Sequence, residues 1–203
     1  ADRHAKPQDA MEERGLIRVS IANAGYAWCM SALPASPAHA SKTLLIVYHS
    51  MTGGTLQMAE AMRAGALRDG SVEVHLKRAC DAGPQDVLSA DGLVFATPEN
   101  LASMSGQLKD FFDRSYYPVL DQVNGRPYAT LICAGSDGSN AERQIARIAT
   151  GWRLKPIAPA LIVCTHAQTP EAILAPKTIG SADLASCAEL GEAFATGLAL
   201  GVY

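Results

Sequence analysis

The chain has 203 residues, 48% hydrophobic and 18% charged, with 17 Lys and Arg against 20 Asp and Glu for a net charge of −3. That balance excludes a strongly basic nucleic-acid binder and leaves no polybasic patch for a membrane surface. No apolar run reaches the ~18 residues of a spanning helix, and disordered, collagenous and coiled-coil chains have other compositions.

Residues 1–41 read as an N-terminal extension. Arg14 and Arg18 precede a mildly apolar stretch, and Ala38-His39-Ala40 has the form of a cleavage site, which together give it a signal-like character. Asn23, Gly25 and Ser31 interrupt that stretch, and Pro34 and Pro37 mark a loop, so a loosely packed or disordered extension is the other reading. The cysteines (Cys29, Cys80, Cys133, Cys164 and Cys187) are odd in number, widely spaced and free of CxxC. They point away from a disulfide framework and from structural zinc, toward a reducing, cytoplasmic setting. Five histidines without HxxxH or HExxH spacing predict no metal site.

From residue 42 to 203 strand-like and helix-like segments alternate. Thr43 to Tyr48 is a continuous apolar run, as in a strand buried on both faces. After a loop at Ser50–Thr55, the spacing of Leu56, Ala59, Met62 and Ala66 predicts a helix. Val72–Leu76 reads as a second strand and Gly92–Ala96 as a third, ending at Thr97-Pro98. Met104, Leu108, Phe111, Phe112 and Ser115 share one helical face, and Tyr128–Ala134 is a fourth strand. Ser139 and Glu142 read as a capping box for a helix whose face is Ile145, Ile148, Ala149 and Trp152. Ala160–Cys164 is a fifth strand, followed by a long final helix. Such alternation implies an α/β domain with a parallel sheet, whose ligands bind beyond the carboxyl ends of the strands.

The loop after the first strand, Ser50-Met51-Thr52-Gly53-Gly54-Thr55, carries three hydroxyls and two glycines into a helix N-terminus. Converging backbone N–H groups, the helix dipole and the hydroxyls suit a phosphate without Lys or Arg. A Ser/Thr cap with a glycine turn explains the same residues without a ligand. GxxxxGK[ST], GxGxxG and GxSxG are absent at the places where they would carry chemistry.

This loop resembles the FMN phosphate loop of the flavodoxin superfamily. The segment Thr97-Pro98-Glu99-Asn100-Leu101, continuing through Met104-Ser105-Gly106-Gln107 into a helix with Phe111, resembles the flavin loop of NAD(P)H-dependent FMN reductases and flavodoxin-like quinone reductases. The resemblance implies a three-layer α-β-α sandwich with a five-stranded parallel sheet in the order 2-1-3-4-5. It implies FMN as cofactor and NAD(P)H as electron donor, with electrons passed to a quinone or similar acceptor. Ser50, Met51, Thr52, Gly53, Gly54 and Thr55 would hold the phosphate, and Thr97, Pro98, Glu99, Asn100 and Leu101 would line the isoalloxazine. Gly135, Ser136, Asp137 and Gly138 would approach the pyrimidine edge or ribityl chain, Asp137 reading equally well as a turn residue. Related reductases assemble as dimers or tetramers, so a homo-oligomer is implied too.

Two features depart from electron-carrying flavodoxins. Neither Glu99–Ser103 nor Ala134–Asn140 contains an aromatic residue to sandwich a flavin, and residues 42–203 carry 13 basic against 16 acidic side chains, far from strongly acidic. Both favour a reductase acting on a small-molecule acceptor over a carrier that docks redox proteins. A flavodoxin without its own hydride transfer, and a binding module without the cofactor, are the alternatives. No side chain is named as catalytic, because the cofactor carries the hard chemistry. Trp152, Arg153 and Lys155 are candidates for an NADPH phosphate or simply a helix end. Tyr116 and Tyr117 read as acceptor contacts or core, and His49 as a phosphate contact or a solvent-facing ring. Cys80 and Cys133 are expected to be buried.

Overall fold

Leu44, Leu45, Ile46 and Val47 are all at most 1% exposed, which only a strand covered on both faces allows. They centre β1 (Lys42–Tyr48) in the computed structural model, which describes residues 41–68 and 70–203. The readings made for residues 1–41 therefore lie, but for Ser41, outside the described residues. β1 is followed by α1 (Gly54–Ala66), β2 (Val72–Arg78), α2 (Pro84–Ser89), β3 (Gly92–Asn100), β4 (Ser103–Met104) and α3 (Gly106–Val119). Then come β5 (Pro127–Ala134), α4 (Ser139–Gly151), β6 (Lys155–Pro156), β7 (Leu161–Cys164), α5 (Pro170–Leu174) and α6 (Ser181–Ala199).

The principal strands pair in parallel in the order β2-β1-β3-β5-β7, the expected 2-1-3-4-5. Two short strands add to it. β4 turns back antiparallel on the end of β3, and β6 pairs Lys155 and Pro156 with the start of β5. Alternation along β1 divides the core. Leu45 and Val47 face Phe95, Phe111, Phe112, Ile145 and Trp152 on the α3/α4 side. Leu44 and Ile46 face Met58, Met62 and Phe194 on the α1/α6 side. Phe95 and Phe112 rings lie 4.9 Å apart, and Trp152 Nε1 donates to Tyr116 O at 3.1 Å, so the largest buried ring also satisfies its one donor.

Several local expectations change. Met104 belongs to β4, not to the helix, because Ser105 caps α3 by accepting from Leu108 N at 3.3 Å. Ser139 is not an N-cap. Gly138 holds that place in a left-handed conformation (φ 84°), and Ser139 Oγ donates to Asp137 Oδ2 at 2.7 Å. Cys80 is exposed after β2, whereas Cys133 is buried. α2 had no counterpart in the sequence reading, although Pro84 opens it and Asp86 Oδ2 accepts from Gly83 N at 3.0 Å.

Candidate functional site

β1, β3 and β5 end side by side, so the loops that follow them converge at one edge of the sheet. The β1–α1 loop turns at Gly53, whose φ of 88° is free only for glycine. Ser50 Oγ accepts from Gly53 N at 3.1 Å and tightens that turn. Gly54 opens α1 against the end of β5, where an added Cβ would stand 2.6 Å from Cys133 Sγ. Thr55 is 1% exposed, and its Oγ1 has no hydrogen-bond partner among the described residues. A buried hydroxyl left free costs about 1–3 kcal/mol. Its place at a helix N-terminus beside Ser50 and Thr52 makes an anionic oxygen the partner that fits.

The second wall is the β3–β4 hairpin. Its tip, Leu101 and Ala102, has φ of 51° and 56°. Two successive non-glycine residues there cost roughly 1–2 kcal/mol each. The neighbouring α4 holds the hairpin in place. Gln144 Oε1 accepts from Ser103 Oγ at 2.8 Å and Met104 N at 3.1 Å, and Asn140 Nδ2 donates to Ala102 O. Glu99 Oε2 accepts from Gly138 N at 2.9 Å, tying the hairpin to the β5–α4 loop. Gln144→Leu removes the acceptor of a part-buried N–H, worth about 1–3 kcal/mol locally. The Met104 amide is then expected to exchange with deuterium about tenfold to a hundredfold faster; an unchanged rate would show that the hairpin holds itself.

Between these walls lies a cavity of about 420 Å³. Of the residues singled out from sequence, Ser50, Met51, Thr52, Thr55, Pro98, Glu99, Asn100, Leu101, Gly135 and Ser136 line it. Gly53, Gly54, Thr97, Asp137 and Gly138 do not. Gly53 borders a smaller cavity behind the loop, and Gly54 and Gly138 are packed close to neighbouring side chains. Thr97 is fully buried, its hydroxyl accepting from Ser105 N at 3.0 Å, and Asp137 is an exposed turn residue.

The third wall went unread in the sequence. Thr165, Ala167, Gln168, Ile173 and Lys177 close the cavity from the segment after β7. Lys177 N donates to Thr52 O at 2.8 Å, and Lys177 Nζ donates to the carbonyls of Ala172, Ile173 and Ala175 at the end of α5. Gln57 fastens this segment to α1, its Nε2 donating to Lys177 O at 2.6 Å and its Oε1 accepting from Ile179 N at 3.1 Å. The partners are about 120 residues apart in sequence, so no local signal marks them. Cys133 forms part of the floor. Burial raises its thiol pKa, against a smaller opposing effect of Lys177, which keeps it a neutral thiol.

The other candidates lie elsewhere. Trp152 is buried against Phe95 and Phe112, Arg153 and Lys155 sit by the start of β5 at the opposite end of the sheet, and Arg153 pairs with Asp121. Tyr116 stacks on Trp152 at 6.0 Å, while Tyr117 is 80% exposed. His49 faces the smaller cavity, and burial lowers its pKa. Among the described residues there is no group of three or more His, Cys, Asp or Glu that could hold a metal, and no helix long and apolar enough to cross a membrane.

Comparison with known proteins meets this geometry. Residues 81–168 match the family profile described as NADPH-dependent FMN reductase. A flavodoxin of Aquifex aeolicus is 33% identical over 49% of this chain and 54% of its own. An NAD(P)H dehydrogenase (quinone) of Acidithiobacillus ferrooxidans is 32% identical over 36% of this chain and 46% of its own. The chain thus spans about half the length of the curated relatives it matches. Among solved structures, a flavodoxin, WrbA-like protein from Agrobacterium tumefaciens superposes with a TM-score of 0.61 at 21% identity, covering 78% of this chain and 98% of the other. That likeness establishes the fold.

Proposed function

We propose that this chain, which belongs to the flavodoxin superfamily and takes FMN as its cofactor, accepts hydride from NAD(P)H and passes the electrons to a quinone or similar acceptor. The observation that carries the reading is the cavity itself, with an unpartnered buried hydroxyl at its helix N-terminus and no aromatic residue in its lining. When bound, FMN supplies a ring that takes up a hydride and returns electrons singly or in pairs.

The chain's own residues bind, orient and shield. Thr55 Oγ1, Ser50, Thr52 and the backbone N–H groups around Gly53 and Gly54 hold the phosphate. Pro98 to Leu101 and Gly135–Ser136 line the ring, on a hairpin that Gln144 and Glu99 keep still. Rigid backbone donors beside the ring tune its electron affinity without reorganising. Met51, Leu101 and Ile173 give the mouth an apolar rim that limits water. No aromatic side chain among the described residues lines the cavity, which would leave room beside a bound flavin for a nicotinamide or an acceptor. Glu99 is engaged by Gly138 N, and the Lys177 ammonium by three carbonyls, so both brace the walls of the cavity.

The test is an anaerobic titration of the FMN-loaded chain with NADPH and then NADH, following the yellow absorption band. Bleaching by either donor is the expected result. A band that only dithionite bleaches would return the chain to the class of electron carriers, and failure to retain flavin would overturn both readings.

A further inference from the structure

A second depression adjoins the first. On the far side of the β3–β4 hairpin, Ser103 and Met104 border a groove of about 600 Å³ that α3 and α4 complete. Its charged lining is Lys109, Arg143 and Arg147, with no acidic residue among the lining side chains. Lys109 Nζ is paired with Asp113 Oδ1 at 2.5 Å, leaving its charge largely compensated. Arg143 reaches only the neutral amide of Asn140, with Nη2 donating to Oδ1 at 3.3 Å. Arg147 has no hydrogen-bond or ion-pair partner among the described residues. The two arginines stand four residues apart on α4, where like charges repel and weaken a helix. Two exposed guanidinium groups without a carboxylate partner therefore give this groove a positive face suited to an anion.

We infer that this groove is the subsite for the 2′-phosphate of NADPH, and that Arg143 and Arg147 set the choice of NADPH over NADH. The inference rests on the hydride-accepting reading above. The groove and the cofactor cavity share the hairpin as a common wall and meet at one hydrogen bond, Asn140 Nδ2 to Ala102 O, since Asn140 lines the groove and Ala102 the cavity. A dinucleotide whose nicotinamide entered the cavity over Leu101 would need to cross only the hairpin tip to bring its adenosine end to the groove. NADPH and NADH differ there by one phosphate group. The planar donor fork of arginine matches phosphate oxygens two at a time. In the cofactor cavity, by contrast, the lining cation Lys177 already shares its ammonium among three carbonyls.

The test compares wild type, Arg143→Gln/Arg147→Gln, and the control Arg63→Gln/Arg68→Gln, which removes the same charge from α1 and the turn that follows it. Calorimetric titration with 2′,5′-ADP and with 5′-AMP requires no turnover. Wild type is expected to bind 2′,5′-ADP about tenfold to a hundredfold tighter than 5′-AMP, as charge-assisted hydrogen bonds provide. The α4 double variant loses that difference and the α1 control keeps it. With FMN loaded, the ratio of kcat/KM for NADPH over NADH falls by the same factor in the α4 variant alone. Equal binding of the two nucleotides by wild type, or a difference that survives in the α4 variant, overturns the subsite. If neither dinucleotide bleaches the flavin, the hydride reading fails by itself, and the 2′,5′-ADP titration still decides the groove.

Discussion

Gly65→Ala lowers the stability of the fold by about 3 kcal/mol, at the upper end of what overpacking a core costs. In an open helix the same substitution would raise stability by about 0.5–1 kcal/mol, because alanine loses less backbone entropy than glycine. Packing reverses the sign. A Cβ on Gly65 would lie 1.8 Å from Ala188 O and 2.6 Å from Ala188 C. On the facing helix, a Cβ on Gly191 would lie 2.1 Å from Met62 O. α1 and α6 therefore touch backbone to backbone, and relief requires one helix to move off the other. Gly106, at the start of α3, has open space around its Cβ position and serves as the control, with Gly106→Ala neutral or stabilising. Urea denaturation of the two variants with unchanged slopes measures the difference. For a domain of this size it is a fall in Tm of about 6–12 °C. The site feels the shift as well, since Gln57 on α1 holds Lys177 and Ile179 just ahead of α6. Equal stabilities would mean that the helices part without cost.

The same distinction between local and distant causes explains what the sequence disclosed. The apolar run Leu44 to Val47 and the hydroxyl-glycine loop after it are local patterns, and the strand order and two cavity walls follow from them and from the flavin-loop resemblance. What stayed hidden is tertiary. Nothing around Lys177 says that its N–H will meet Thr52 O, or that Gln57 will span to Ile179. Gln144 finds its partners only because β4 lies beside α4. Ser139 has the spacing of a capping residue, yet Gly138 takes the cap, its N–H held by Glu99 at the end of β3. α2 and α5 are too short for a periodic signal, with 6 and 5 residues. Cys80, read as a small apolar residue, falls two residues past the end of β2, where it is exposed.

Thr55→Val separates the two sides of the site by sign. The substitution keeps the shape of the side chain and removes a buried hydroxyl that has no partner among the described residues. The cofactor-free chain is expected to gain about 1 kcal/mol, because it no longer buries an unsatisfied donor. FMN binding is expected to weaken about tenfold to a hundredfold, the worth of a hydrogen bond to a charged oxygen. Riboflavin has the same ring and ribityl chain without the phosphate, so its affinity changes by less than about twofold, well below the tenfold step of one such bond. Fluorescence titration with the two flavins, beside thermal denaturation of the cofactor-free variant, yields all three quantities. If both affinities fall together, Thr55 shapes the cavity and does not bind the phosphate. If the cofactor-free chain is destabilised instead, the hydroxyl has a partner in solution, and the loop would have to be rebuilt around Ser50 and Thr52. A rise in stability paired with a selective loss of FMN is the outcome that an oxygen waiting for a phosphate requires.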